Sequence, residues 1–213
     1  MTSHPLFARL YDPMMALPER TVLSSHRAHL AEGLSGRVLD IGAGTGAMFP
    51  HVADTDCSVT AVEPDPHMRQ QAEKRASSVD ADITIIDAQA ESLPFPNDSF
   101  DAATAVFVFC TIADVERGMD ELARVLRPGG EFRFLEHVRA RGALGVAHDA
   151  LTPCWSCAAG GCNLDRRTGD RFQRDDRFEL VKYDRFETGL TRALPLVRGR
   201  LERHRDPLRA RLL

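Results

Sequence analysis

The pattern of this chain predicts an α/β fold: a doubly wound, mostly parallel seven-stranded sheet with an antiparallel edge strand. Three observations carry the prediction. From residue 37 onward, short β-rich runs alternate with helix-length segments. A glycine turn, G-x-G-x-G at Gly42, Gly44 and Gly46, follows the first of those runs. An acid, Glu63, closes the second run about 20 residues after Gly42. With 213 residues, 43% of them apolar, the chain has material for one sizeable core, so residues 1–213 are expected to form a single domain.

Taken in order, the first 35 residues read as one or two amphipathic helices, with Val22, Leu23, Leu30 and Leu34 as apolar positions. The strands RVLDI, SVTAVE, ITIID and FDAATAVFVF come next, separated by helices, and Phe107 and Phe109 of the last run are assigned to the core with Phe132 and Phe134. The clearest helix is DVERGMDELARVL. Asp114 is placed to cap it, Val115, Met119, Leu122, Val125 and Leu126 recur near helical spacing, and Pro128, Gly129 and Gly130 end it and turn into the strand GEFRFLEHV. Past Arg141 the pattern loosens into a helix, a Cys- and Gly-rich loop and another helix. The runs FELVKYDRFE and LTRALPLVRGRLER supply two last strands, the final one at or near an edge because Pro195 cannot donate to a ladder. Residues 198–213, with six arginines against two acids, read as a solvated tail, with attraction to anionic lipid or an acidic partner as the alternative.

Composition excludes several classes. A formal net charge of -4 provides no global basic field, so nucleic acid is not an expected partner. No apolar stretch approaches the ~20 residues of a membrane span, and no integral membrane association is expected. Five irregularly spaced cysteines, with no signal-peptide pattern at the start, indicate a reducing, cytoplasmic setting.

The glycine turn is one residue tighter than the dinucleotide fingerprint, and no phosphate-binding G-x-x-x-x-G-K-[ST] loop is present. A carboxylate at the position of Glu63 can accept both hydroxyls of a ribose, so turn and acid together point to a nucleoside ligand.

The motifs VLDIGAGTG, VEPDPHM, AESLPFPNDSFD and ELARVLRPGGEFRFLEHV, within residues 37–138, resemble those of the class I S-adenosylmethionine-dependent methyltransferases of the small-molecule branch that includes the quinone-ring enzymes. The resemblance implies a Rossmann-like methyltransferase fold, S-adenosylmethionine as cofactor and a small-molecule substrate. It places Gly42, Ala43, Gly44 and Gly46 beside the methionyl part, with Asp40 orienting the turn or reaching the cofactor's amino group. Glu63 would take the ribose hydroxyls and Pro64 and Met68 would flank the adenine. Gln89 stands where relatives often carry Asp or Ser, and Ala90 and Glu91 offer backbone contacts. Phe109, Cys110 and Thr111 would form the floor under the sulfonium. Residues 1–35 would act as a helical lid from which Tyr11 would contact the substrate, with packing of the N-terminal helix as its alternative role, and residues 139–175 would form a substrate-side insertion.

A second resemblance, carried by FCTIAD, FLEHVRARG and WSCAAGGCNLDRRTGDRF, is to the branch containing the thiol S-methyltransferases. It implies an acceptor site with Trp155, Cys162 and Arg166, within a pattern that also includes Gly161, Leu164 and Thr168. The N-terminal membrane anchor of the eukaryotic members is missing here, which argues for a soluble enzyme, and Cys154 and Cys157 are additions.

Methyl transfer from a sulfonium is an in-line displacement that mainly requires alignment and exclusion of water. A thiol, with a pKa of about 8.5, needs only modest assistance. His137, at the carboxyl end of its strand, is the candidate base, with a structural histidine as the alternative; Glu136 would point the other way. His148, Cys154, Cys157 and Cys162 invite a zinc reading, but their irregular spacing argues against it and no metal is expected. Thiol sulfur is thus the favoured acceptor. The alternatives are O-, C- or N-methylation of a quinol, phenol, amine or lipid headgroup, an arsenite methyltransferase, and a non-catalytic cofactor-binding module.

Overall fold

The structure, a computed structural model, describes residues 5–205. The chain enters through α1 (Pro5–Pro18), a π-helical turn (Glu19–Leu23) and α2 (Ser24–Ala31). Pro18 has no amide to donate, and the helix widens directly after it. The sheet is then built from β1 (Ser35–Ile41), β2 (Asp56–Val62), β3 (Asp82–Ile86), β4 (Phe100–Val106), β5 (Leu126–His137), β6 (Phe178–Phe186) and β7 (Leu196–Arg203). The helices between and after them are α3 (Phe49–Val52), α4 (Pro66–Ala76), α5 (Val115–Val125), α6 (Gly142–Ala158) and α7 (Thr168–Gln173).

The seven strands pair in the order β3-β2-β1-β4-β5-β7-β6, parallel from β3 to β5, with β7 antiparallel to both of its neighbours. The central strands are buried on both faces, as parallel strands covered by helices must be. Alternation along β1 sends Leu39 and Ile41 to one core with Phe100, Met119, Leu122, Phe132 and Phe134. It sends Val38 to the other, with Leu30, Leu34, Phe49 and Val59. Between β1 and β4 the strand order reverses, and ligands in such sheets bind outside the carboxyl ends of the strands at that point.

Asp114 caps α5 by accepting from the Arg117 amide at 3.1 Å, an arrangement that contributes about 1 kcal/mol. Four details differ from the sequence pattern. Pro128, Gly129 and Gly130 do not form a turn before β5; they lie within it, where its register against β4 shifts between Phe100 and Ala102. The proline-bearing last run is near the edge and not at it: Pro195 sits just before β7, which lies next to the outermost strand β6, so the ladder loses no donor. Phe107 is not a core strand residue. It follows the end of β4, half-buried, at a φ of 60°, whereas Phe109, Phe132 and Phe134 are fully buried. Finally, the arginine-rich end begins as strand rather than tail. Arg198 pairs with Asp184, Arg200 with Glu131 and Arg203 with Asp98, and residues 206–213 lie outside the described residues. Among the described residues, no helix is long and apolar enough to cross a membrane.

Candidate active site

The glycine turn leaves the carboxyl end of β1 beside β2 and β4. Ala43 donates its amide to Val62 O at 3.0 Å, tying the turn to β2. Gly42 takes a φ of 63°, and a Cβ there would stand 2.7 Å from Val108, so β4's loop packs directly on the turn. Gly44 takes a φ of 58° with open space where its side chain would be, which is the face a ligand can approach. Glu63, one residue past β2, is buried. Its two carboxylate oxygens accept from Gly44 N and Asp65 N, both at 2.8 Å. Burial raises its pKa against those two amides, and each oxygen keeps a further lone pair for a ligand hydroxyl.

Asp40 is buried within β1. Its Oδ1 accepts from Thr104 Oγ1 at 2.7 Å, while Oδ2 has no hydrogen-bond partner among the described residues. Burial lifts its pKa from 3.8 to about 6, the Thr104 hydroxyl opposing. An orphaned carboxylate oxygen beside a glycine turn fits a ligand that brings an ammonium group. Together with Glu63 and the open face of Gly44, it matches an amino-acid nucleoside such as S-adenosylmethionine.

Helix α1 lies over this turn, through residues that sequence reasoning did not single out. Asp12 accepts from Thr45 Oγ1 at 2.7 Å and pairs with Arg75 of α4 at 2.5 Å. Gln71 of α4 donates to Ala8 O at 2.8 Å. Tyr11, Arg27 and Asp40 line the space at the turn with Gly42, Ala43, Gly44 and Met48, and about 20 Å³ is free there. Tyr11 therefore stands on the cofactor side, its phenol pKa raised by burial. Arg27 is buried and paired with Glu19 at 3.0 Å.

Of the predicted adenine-side residues, Met68 and Ala90 are buried, Pro64 is half-buried and Gln89 is exposed. The Glu91 carboxylate reaches Ala113 N at 2.9 Å, bracing the start of α5.

The loop after β4 is held by Glu136, which faces away from His137 as strand alternation requires. Fully buried, its carboxylate accepts from Val108 N at 2.8 Å, Phe109 N at 2.9 Å and Cys110 N at 3.2 Å. Burial raises its pKa to about 7 against those bonds. The ring of Phe109 is turned into the core against Phe172, with centroids 5.0 Å apart, so only its backbone borders the site. Thr111 is half-buried, its hydroxyl 3.5 Å from the Cys110 sulfur.

Beside that loop the structure gathers a cluster. His137 Nε2 lies 2.8 Å from Cys162 Sγ, and Trp155 Nε1 donates to the same sulfur at 3.3 Å. The ligand atoms of Cys110, His137 and Cys162 all lie within 4.8 Å of one another. Cys110 and His137 are buried, Cys162 is half-buried and Trp155 is exposed. Hydrogen bonding with Cys110, then with His137 and Trp155, pulls the Cys162 thiol well below its ordinary range.

Asn163 seats this loop: its backbone amide and its side-chain amide both donate to Cys110 O, at 2.9 and 3.0 Å. Arg166 donates to Ile112 O at 2.9 Å, so it pins the loop. The set suggested by spacing does not assemble. His148 is occupied by Ala140 N and Ala193 O, and Cys154 and Cys157 are exposed on α6. A larger cavity of about 280 Å³, lined by Arg139, Arg141, Arg167, Tyr183 and Arg185, shares no lining residue with the glycine turn. It holds none of the cluster's sulfurs.

Comparison with known proteins places the chain among methyltransferases in sequence and fold. Residues 39–134 match a family described as a methyltransferase domain. The chain is 28% identical over 190 residues to the human thiol S-methyltransferase TMT1A, covering 87% of this chain and 77% of that protein. It is 35% identical over 115 residues to demethylmenaquinone methyltransferase of Thermus thermophilus, covering 53% of this chain and 52% of that enzyme, so it spans about half of that relative's length. The crystal structure of a SAM-dependent methyltransferase from Thermotoga maritima superposes with a TM-score of 0.67 at 22% identity, covering 92% of this chain and 98% of that one.

Proposed function

The chain carries an S-adenosylmethionine-dependent methyltransferase domain, with S-adenosylmethionine as its cofactor, and on that premise we propose that its acceptor is a small, partly apolar thiol. One observation carries this reading: Cys110, His137 and Cys162, with Trp155 against them, converge at the carboxyl ends of β4 and β5. Sulfur, imidazole and an indole face make a soft, partly apolar surface suited to another sulfur. The 28% identity to a thiol S-methyltransferase supports the same reading.

When bound, the cofactor supplies an electrophilic methyl group on a sulfonium. Asp40 Oδ2 would hold its amino group, Glu63 its ribose hydroxyls and the Ala43–Gly44 backbone its methionyl part, and Pro64, Met68, Gln89, Ala90 and Glu91 would border the adenine. Helix α1 covers the site through Tyr11. A pocket for a ligand of this size needs about 300 Å³ or more. Only about 20 Å³ is free at the turn, so binding would require α1 to shift, and its return would exclude water. His137, beside Cys162, acts on the acceptor.

The test is release of S-adenosylhomocysteine with matched panels of small thiols, quinols, phenols and amines, run on the native chain and on His137→Ala. The expected result is turnover confined to thiols, lowered by at least about tenfold in His137→Ala with cofactor affinity unchanged. Turnover only with quinols, phenols or amines overturns the thiol reading.

A further inference from the structure

We propose that Cys110, His137 and Cys162 bind one zinc ion whose open fourth position receives the acceptor thiol. This inference rests on the thiol reading above and specifies how that site would work.

Two thiolates and an imidazole are a donor set suited to zinc, which takes four ligands in a tetrahedron. Sulfur at about 2.3 Å and nitrogen at about 2.0 Å from the ion put neighbouring ligand atoms about 3.6–3.8 Å apart. The three atoms already lie within 4.8 Å of one another, and the tightest edge, 2.8 Å between His137 Nε2 and Cys162 Sγ, must open by less than about 1 Å. Cys162 can supply that movement because it sits on a loop and is half-buried.

The cluster is also built in advance. Glu136 fixes the backbone of Cys110, β5 fixes His137, and Asn163 ties the Cys162 loop to Cys110 O. Trp155 Nε1 donates to one sulfur and the Thr111 hydroxyl lies 3.5 Å from the other, hydrogen bonds of the kind that orient metal-bound thiolates.

The count of ligands points to chemistry. Closed structural sites use four protein ligands, whereas three with one open position mark a site that takes a substrate. Among the described residues, no fourth histidine, cysteine or carboxylate joins the group, and the Glu136 carboxylate is engaged with backbone amides. Of the group, Cys162 alone is half-buried, and the indole beside it is exposed, so solvent reaches the group on that side. The acceptor thiol would bind there through sulfur and release its S–H proton to water. A lone pair of the zinc-bound thiolate then forms the new S–CH3 bond. The cofactor's C–S bond breaks with its electron pair staying on the departing sulfur, which becomes a neutral thioether. The methylated acceptor, now uncharged, is a weaker ligand and leaves.

The experiment loads the full-length chain with zinc chloride, dialyses it against metal-free buffer, and measures zinc per chain and, after exchange, the visible spectrum with cobalt(II). One zinc per chain and the intense bands of a tetrahedral sulfur-ligated cobalt are expected. Both should be lost in Cys162→Ser and in His137→Ala, and kept in the Cys154→Ala, Cys157→Ala double variant. No retained zinc in the native chain, or zinc lost from the double variant and kept in Cys162→Ser, overturns the site. Cys162 is only half-buried, so its serine variant is expected to fold, and circular dichroism checks this.

Release of S-adenosylhomocysteine with thiols, measured before and after chelation, separates the two readings. Thiol turnover that survives complete removal of zinc overturns the metal role and leaves thiol methylation standing. Stoichiometric zinc with turnover only of non-thiols supports the ion site and overturns the thiol reading together with the thiol's place on the metal.

Discussion

Asp40 shows how a single residue in this site is set against the stability of the fold. Its pKa is raised from 3.8 to about 6 by burial, so between those values the folded chain binds a proton that the unfolded chain has released. Stability therefore falls as pH climbs through that window, and the loss, about 2–3 kcal/mol at roughly 1.4 kcal/mol per pH unit, persists above it. Asp40→Asn carries no such charge. The cofactor-free variant should melt close to the native chain at about pH 3.5, below the window, and clearly above it at about pH 8, by calorimetry at both values. Its affinity for S-adenosylmethionine should fall, because the amide offers the ammonium no negative charge. In the native chain that affinity should weaken as pH drops below about 6. An equal melting point for the two proteins at both pH values would refute the argument.

Asp40 and Glu63 were legible in the sequence because a strand, a glycine turn and a second strand fix them by local spacing. The members of the cluster around Cys162 were each singled out, as floor, base and acceptor site, but their convergence into one group was not legible. Cys110, His137 and Cys162 are brought together by tertiary contacts across sequence separations of 27 and 25 residues, and Asn163, which seats them, carries no motif signal. Spacing pointed instead to Cys154 and Cys157, which face solvent, and to His148, whose nitrogens serve the backbone.

At the level of elements, α1 owes its position to a few polar contacts more than to a broad apolar face. Leu10, Met14 and Leu17 are exposed, while Asp12 bridges Thr45 in the turn and Arg75 in α4. Asp12→Ala removes both bonds at once. With a loss of about 1 kcal/mol from the covered state, the release rate of S-adenosylmethionine should rise by about fivefold, and trypsin should cut faster within residues 1–35. Stopped-flow release and timed proteolysis read the two effects, and unchanged kinetics in both would show that α1 is held by other means. Nothing in the sequence marked Asp12, since its partners lie more than 30 residues away. Helical periodicity did mark the segment itself. Strand periodicity likewise found every strand of the sheet but not the place of the last one, because pairing order is decided by long-range register and not by local pattern.

For the molecule as a whole, the cofactor should act as a structural part as well as a reactant. In the proposed site it would lie between α1, β1, β2 and the loop after β4, and a ligand held only by the folded state stabilises that state by about 2.7 kcal/mol at a concentration 100 times its Kd. For a chain of this size that corresponds to a rise of about 5–10 °C in Tm, measurable by thermal scanning with and without S-adenosylmethionine. Asp40→Asn should show a smaller rise, and an identical rise in the two proteins would remove Asp40 from the binding site.

The placement of β7 has a consequence for how the protein is made. Among the described residues this strand comes last in sequence, yet it lies inside the sheet, between β5 and β6. Until it leaves the ribosome, β5 has a bare edge and β6 has no neighbour in the sheet, however complete the cofactor-binding half already is. Nascent chains therefore pass through a stage with unpaired strand edges, the kind of surface on which chains stick to one another. Pairing of β7 closes the sheet, so chaperone demand and premature termination both bear most heavily on the interval before β7 is made.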